Sequence, residues 1–237
     1  MSLSYFYIEQ LDPSQPEIEL DEDTSYHIVQ VLRMKNGEKL NLTDGKGNLI
    51  TAVISGEHKK HCLVKIEGTR YRQQNTRKTS IGISLIKNSS RFEWFLEKAT
   101  EIGIHEIIPL LCERTVKEKF RYDRMKGICI SAMLQSQQTW LPVLHEPIAY
   151  DLLFRQEAIS GIAQKFIAHC TEQEKHRLNE LLERSFPSQI ILIGPEGDFS
   201  QREIDLAVQL NFMPVSLGET RLRTETAGVV AATLLCI

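Results

Sequence analysis

Short apolar runs broken by turn residues fill the first seventy positions, and past residue 80 longer apolar stretches alternate between strand-like and helix-like spacing. SYFYIE, KLNLTDGKGNLITAVISGE and HCLVKIEG read as strands of a small β-rich unit, with Asp44-Gly45 and Gly47-Asn48 supplying the positive-φ residues a hairpin needs. Between the first two, SYHIVQVLRMKNGE places Ile28, Val31, Leu32 and Met34 on a short helix closed by Gly37. TRYRQQNTRKTS, residues 69 to 80, is polar and basic without apolar period. The boundary falls there and gives domains over 1–72 and 73–237.

The second domain reads as alternating strand and helix. ISLIK is a strand, and Ser90 to Glu93 has the form of a capping box ahead of a helix burying Phe92, Phe95, Leu96, Ala99 and Ile102 and stopping at Gly103. IHEIIPLL completes a βαβ unit. A helix through MKGICISAMLQSQQ, a strand at KFIAHC, a helix at EKHRLNELLERSF and strands at QIILIG and MPVSLG continue the series. This pattern predicts an α/β domain with a mostly parallel sheet.

Composition narrows the classes. The chain has 237 residues, 42% hydrophobic and 25% charged, enough for one large or two modest cores. No apolar run approaches the roughly 20 residues that cross a bilayer, and the first residues lack the layout of a signal peptide. A cytoplasmic protein is therefore expected. The five cysteines are scattered and never spaced as CxxC, so they read as buried small hydrophobes. HKKHC, residues 58 to 62, reads as a solvated hairpin, and no metal is expected. Charge is uneven: residues 71 to 126 hold 12 Lys and Arg against 7 Asp and Glu, while both flanks are acidic. A local basic segment of this kind can bind a polyanion although the formal net charge is -3.

Ligands of open α/β sheets collect beyond the carboxyl ends of the strands, which singles out two loops. IGPEGDFS follows the apolar run 190–193 and leads through a second capping box, Ser200 to Glu203, into a helix. Gly194 and Gly197 allow tight turns, and no lysine follows them as a phosphate loop would require. Glu196 and bare peptide groups suit a neutral or cationic ligand, such as an adenine ring with a sulfonium. LGETRLRTET follows MPVSLG, with Thr224 as candidate cap and Glu225 in the positive first turn of the next helix. Arg221 and Arg223 either pair with Glu219 and Glu225 or take part in chemistry. From Thr226 to Ile237 no charge occurs, an unusual composition for a terminus.

GPEGDFS some twenty residues before LGETRLRTETA, preceded by KNSSRFEWFLEKATEIGIHEIIPLLCERT and by a β-domain with VLRM and DGKG, closely resembles the 16S ribosomal RNA uracil-N3 methyltransferases. These belong to the SPOUT class. The resemblance implies a SPOUT trefoil-knot methyltransferase domain behind a small PUA-like RNA-binding domain, working as a homodimer on 16S RNA of the small ribosomal subunit with S-adenosylmethionine as cofactor. It places Ile193, Gly194, Glu196, Gly197, Leu217, Gly218, Leu222, Thr224 and Thr226 around the cofactor. Arg223 would stand between cofactor and RNA as a catalytic residue, with Glu225 a candidate base. Arg33, Lys87, Arg91, Lys98, Arg114 and Gln135 would meet the RNA. Two departures stand out: MSLSYFYIE lacks the Arg-rich opening of the family, and AMLQSQQTWLP differs around its Gln-Ser. The other readings are a non-catalytic ribosome assembly factor and a ribose 2'-O-methyltransferase of the same fold.

Overall fold

A computed structural model of the chain describes residues 3–12, 14–116, 119–170 and 175–237. Two compact units emerge: Met1–Gln74 together with Met133–Leu141, and Asn75–Ala132 together with Pro142–Ile237.

In the first unit, strands β1 (Tyr5–Tyr7), β2 (Glu17–Glu19), β3 (Lys39–Thr43), β4 (Asn48–Gly56) and β5 (Leu63–Tyr71) form one sheet in the order β1-β3-β4-β5-β2. β1 runs parallel to β3 and the remaining pairs are antiparallel. The β3–β4 hairpin turns on Gly45 (φ 68°) and Gly47 (φ 96°), while Asp44 accepts hydrogen bonds from the backbone amides of Lys46 and Asn48. Leu40, Leu42, Ile50, Ala52 and Val64 fill the core with Ile28. The single helix expected over SYHIVQVLRMKNGE is instead a turn of α-helix, α1 (Glu22–Tyr26), followed by a π-helical turn over His27–Val31. It stops six residues short of Gly37, because turning Ile28 and Met34 into the core leaves Val31 and Leu32 exposed. The basic segment expected to be a linker is also shorter: β5 continues to Tyr71, paired with Asn48.

In the second unit, chain order gives β6 (Lys78–Ser84), α2 (Ser89–Ile102), β7 (Glu106–Leu111), α3 (Tyr122–Gln135), β8 (Val143–Leu144), β9 (Ile148–Ala149), α4 (Tyr150–Leu153) and α5 (Glu157–Ser160). There follow β10 (Gln164–Ala168), β11 (His176–Arg177), α6 (Leu178–Leu181), β12 (Ser188–Ile193), α7 (Gln201–Gln209), β13 (Met213–Ser216) and α8 (Thr224–Cys236). The last residues of α3 belong to the first unit. The sheet runs β11-β13-β10-β12-β6-β7-β8, with β9 also on β7, and every pairing in it is parallel. Strands covered on both faces are apolar where no polar partner is at hand, as in buried Ile190 to Ile193.

Three local expectations change. α2 is capped by Asn88, whose side chain accepts the Ser90 amide; Glu93 does not reach back, because Arg124 holds it at 2.7 and 2.9 Å. The helix expected over residues 174–186 shrinks to α6, residue 174 lying outside the described residues. Past α6 the buried Gln164 and Gln189 take the backbone groups a longer helix would use: Gln164 donates to the Leu181 carbonyl and accepts the Glu183 amide, and Gln189 donates to the Glu183 carbonyl. The box at Ser200 and Glu203 forms as expected, and Glu203 also accepts the Glu113 amide at 2.8 Å.

Candidate active site

The carboxyl ends of β10, β12 and β13 open onto a cavity of about 650 Å³, within the roughly 300–1,000 Å³ usual for small-ligand sites. The loops after β12 and β13 form its walls, and they are fastened to each other. Thr224 donates from Oγ1 to the Gly194 carbonyl at 3.0 Å in a buried hydrogen bond spanning thirty residues. Thr224 is thus not the helix cap; Arg223 occupies the cap position without a side-chain bond. A Cβ on Gly194 would stand 3.0–3.2 Å from Phe199, so a side chain there would force Phe199 to give by a few tenths of an ångström. Asp198, in the left-handed region at φ 64°, accepts the Cys170 and Phe199 amides at 2.8 Å each and ties the β12 loop to the end of β10.

Of the residues expected around a cofactor, Ile193, Gly194, Glu196, Leu217, Gly218, Leu222 and Thr224 line this cavity. Gly197 and Thr226 do not; Gly197 lies beside it, its carbonyl accepting from Arg114 at 2.8 Å. His169, Cys170, Lys175 and Asp198 also face the cavity; the resemblance takes in the KFIAHC strand that carries the first two but singles out none of the four. Their signal was positional: the first two follow a buried strand in a sheet whose ligands gather at strand ends. Burial, with Lys175 nearby, holds His169 below its ordinary value, so the ring is neutral at pH 7. Cys112 and Cys129 are buried thiols pushed up to about 12 and about 11, whereas Cys170 is exposed.

The charged residues divide sharply. Arg223 lines the cavity, is exposed, and has no ion pair or side-chain hydrogen bond among the described residues. The pairing considered for it fails because Glu219 is held by Arg177 at 2.6 Å and Glu225 faces Arg91 at 3.7 Å. Arg221 reaches only the Glu196 carbonyl, at 3.5 Å. Glu225 does not line the cavity; it is buried, with Oε2 lacking a hydrogen-bond partner among the described residues. Arg91 does line it and bridges Glu225 to Glu196, the latter at 3.1 Å. Lys98 is neutralised by Glu97 and Glu101 on its own helix, and Lys87 is exposed outside the cavity. Arg33 (φ 55°) and Gln135 are exposed residues of the first unit.

An all-parallel sheet with such a cavity at its carboxyl edge, preceded by a small β unit, defines the class. Residues 73–236 match the RNA methyltransferase domain and residues 20–67 the RNA methyltransferase PUA domain. The chain is 32% identical over 213 residues to ribosomal RNA small subunit methyltransferase E of Synechocystis, covering 87% of this chain and 68% of that protein. A probable rRNA-methyltransferase from Porphyromonas gingivalis superposes with a TM-score of 0.88 at 36% identity, covering 97% of this chain and 95% of that one. Ribosomal RNA small subunit methyltransferase E from Neisseria gonorrhoeae, solved bound to S-adenosyl methionine, gives 0.85 at 25% identity over 98% and 95%. The chain belongs to the ribosomal RNA small subunit methyltransferase E family of RNA methyltransferases.

Proposed function

We propose that the protein transfers a methyl group from S-adenosylmethionine to N3 of a uridine in 16S RNA of the small ribosomal subunit. The observation behind this reading is the cavity that the β12 and β13 loops wall between them, fastened by Thr224 on Gly194. The residues suit the cofactor. The amides of residues 219–222 have no hydrogen-bond partner within the described chain, which leaves backbone donors for an adenine or a carboxylate. A neutral His169 adds no charge to oppose a sulfonium, and Glu196 supplies a carboxylate at the rim.

When bound, S-adenosylmethionine supplies an electrophilic methyl on a positively charged sulfur. The protein then has to present N3 in line with that methyl and ease the loss of its proton. Arg223, exposed and without a competing carboxylate, is placed to pair with the uracil oxygens as negative charge develops on the ring. Glu225 is assigned to holding Arg91 at the cavity wall, since its carboxylate faces that guanidinium. The same reading has α8 threaded through a neighbouring loop as a trefoil knot. It also has two copies of the chain joined through the half-buried apolar side chains of α8, such as Val230 and Leu234, in the cytoplasm where ribosomes are assembled. No helix among the described residues is long and apolar enough to cross a membrane.

Methyl-labelled S-adenosylmethionine incubated with small subunits or free 16S RNA, followed by nucleoside mapping, tests the assignment. Label in 3-methyluridine is expected, with Arg223→Ala slowing turnover at least about a hundredfold, the usual cost of losing a transition-state donor. Label in a ribose 2'-O-methyl group, or full activity in Arg223→Ala, contradicts it.

A further inference from the structure

The end of β5 carries an exposed aromatic side chain, and the surrounding fold is built to hold it still. Tyr71 is 61% exposed. Trp140, from the segment that rejoins the first unit after α3, meets it edge-on, with ring centroids 6.0 Å apart and planes at 81°. Trp140 is anchored in turn: its indole N–H donates to the Arg72 carbonyl at 2.8 Å, and its backbone forms a bridge with Lys46. Gly47 lies beneath both rings at φ 96°, where a Cβ would come within 2.6 Å of Trp140 and 2.8 Å of Tyr71. Three separate stretches of chain therefore close around this pair, all within the first unit.

The polar surroundings favour an anionic partner. Arg72 donates to two neutral acceptors, the Gln137 carbonyl at 2.9 Å and the Tyr5 hydroxyl at 3.3 Å, so its charge is not cancelled. Lys46 is exposed, and as the bridge partner of Trp140 it projects from the same face. Neither cation takes part in an ion pair among the described residues. Asp44, in the same turn, is buried and accepts from the backbone amides of Lys46 and Asn48 and from the Asn48 side-chain amide, so it does not pair with the Lys46 ammonium. A clasp with only a structural purpose would bury both rings; this one buries Trp140 more deeply and leaves Tyr71 open.

We infer that Tyr71, backed by Trp140 and flanked by Lys46 and Arg72, is a stacking platform for an unpaired base of single-stranded RNA. An exposed aromatic face with uncancelled cations beside it is the chemistry that recognises unstacked nucleotides, because every base has a π-face and its phosphate meets the cation. The inference rests on the RNA-directed function proposed above, but its test needs neither cofactor nor turnover.

Fluorescence anisotropy of an end-labelled single-stranded oligoribonucleotide of about ten nucleotides tests it on the full chain, using the wild type, Tyr71→Leu and Tyr71→Phe. Tyr71→Leu is expected to weaken binding by roughly five- to a hundredfold, the range that stacking of one base spans. Tyr71→Phe is expected to keep wild-type affinity, a rescue that a lost hydroxyl bond would not give. A fully paired duplex of the same strand is expected to bind alike to all three, through its phosphates alone. Equal single-strand affinity in wild type and Tyr71→Leu, or no wild-type binding at all, overturns the inference. So does a Tyr71→Leu defect seen with small subunits but not with the oligonucleotide, which would place a protein on the platform.

Discussion

Arg91 shows how far a side chain can be read from sequence and where the reading stops. The family resemblance makes it a candidate for phosphate, in keeping with the basic segment around it. The fold gives it two carboxylates, exposed Glu196 from the β12 loop and buried Glu225 from the first turn of α8, 105 and 134 positions away. Thr224 has the same lesson: a threonine ahead of a helix reads as a cap, but its hydroxyl reaches a glycine carbonyl thirty residues back. In both cases the partners meet only once the sheet has assembled. If Arg91 serves as the buried counter-charge of Glu225, Arg91→Met should destabilise the chain by about 1 kcal/mol, a modest figure because Arg91 is partly exposed. Arg91→Met combined with Glu225→Gln should cost less than the sum of the two single changes in urea unfolding. Strictly additive losses would mean that the two groups do not interact.

At the scale of elements the periodic signals are the legible part. The apolar run 190–193 within β12, the α2 helix with its left-handed Gly103, the Ser200 box and the glycine-bearing β3–β4 turn all form where the sequence places them. Besides the helix expected up to Gly37, the helix expected over 174–186 shortens, its backbone groups taken by two buried glutamines on other strands, a contest local propensity cannot register. The uncharged last helix has a packing reason. Gly228 lies where a Cβ would come within 2.6–2.8 Å of Phe95 on α2 and Ile83 on β6, and Ala231 and Ala232 are fully buried, so α8 lies close to both elements.

The start of β7 gives a pH signature. Glu106 is held below its ordinary 4.5, first by the hydrogen bond from His145, then by Ser80, against a desolvation penalty. A depressed folded value means that the carboxylate's stabilising contribution is fully present above about pH 4.5 and is lost as pH falls through the folded value. Thermal melts of wild type and Glu106→Gln should therefore differ by about 1–2 kcal/mol at pH 7. The gap should close toward pH 3. A gap that widens on acidification would reverse the assignment.

For the whole molecule, the change of grammar near residue 80 is visible in the sequence, but the return of residues 133–141 to the first unit is not. That stretch continues from helix α3 with ordinary polar composition. Its attachment depends on Trp140 meeting Arg72 and on Thr139 accepting the Gly47 amide. The cavity is legible as two glycine-bearing loops after two strands, and Gly218 in the second of them sits at φ 153°. That the loops share one enclosure depends on β12 and β13 flanking β10, an order no linear reading supplies.

The direct test of that enclosure is calorimetric titration of S-adenosylmethionine into the wild type and into Thr224→Val, which keeps the side-chain shape and deletes the hydrogen bond to Gly194. One site per chain is expected, weakened by roughly five- to tenfold in the variant, the loss of about one hydrogen bond. No binding to the wild type, or undiminished affinity in Thr224→Val, would contradict a cofactor held between these two loops.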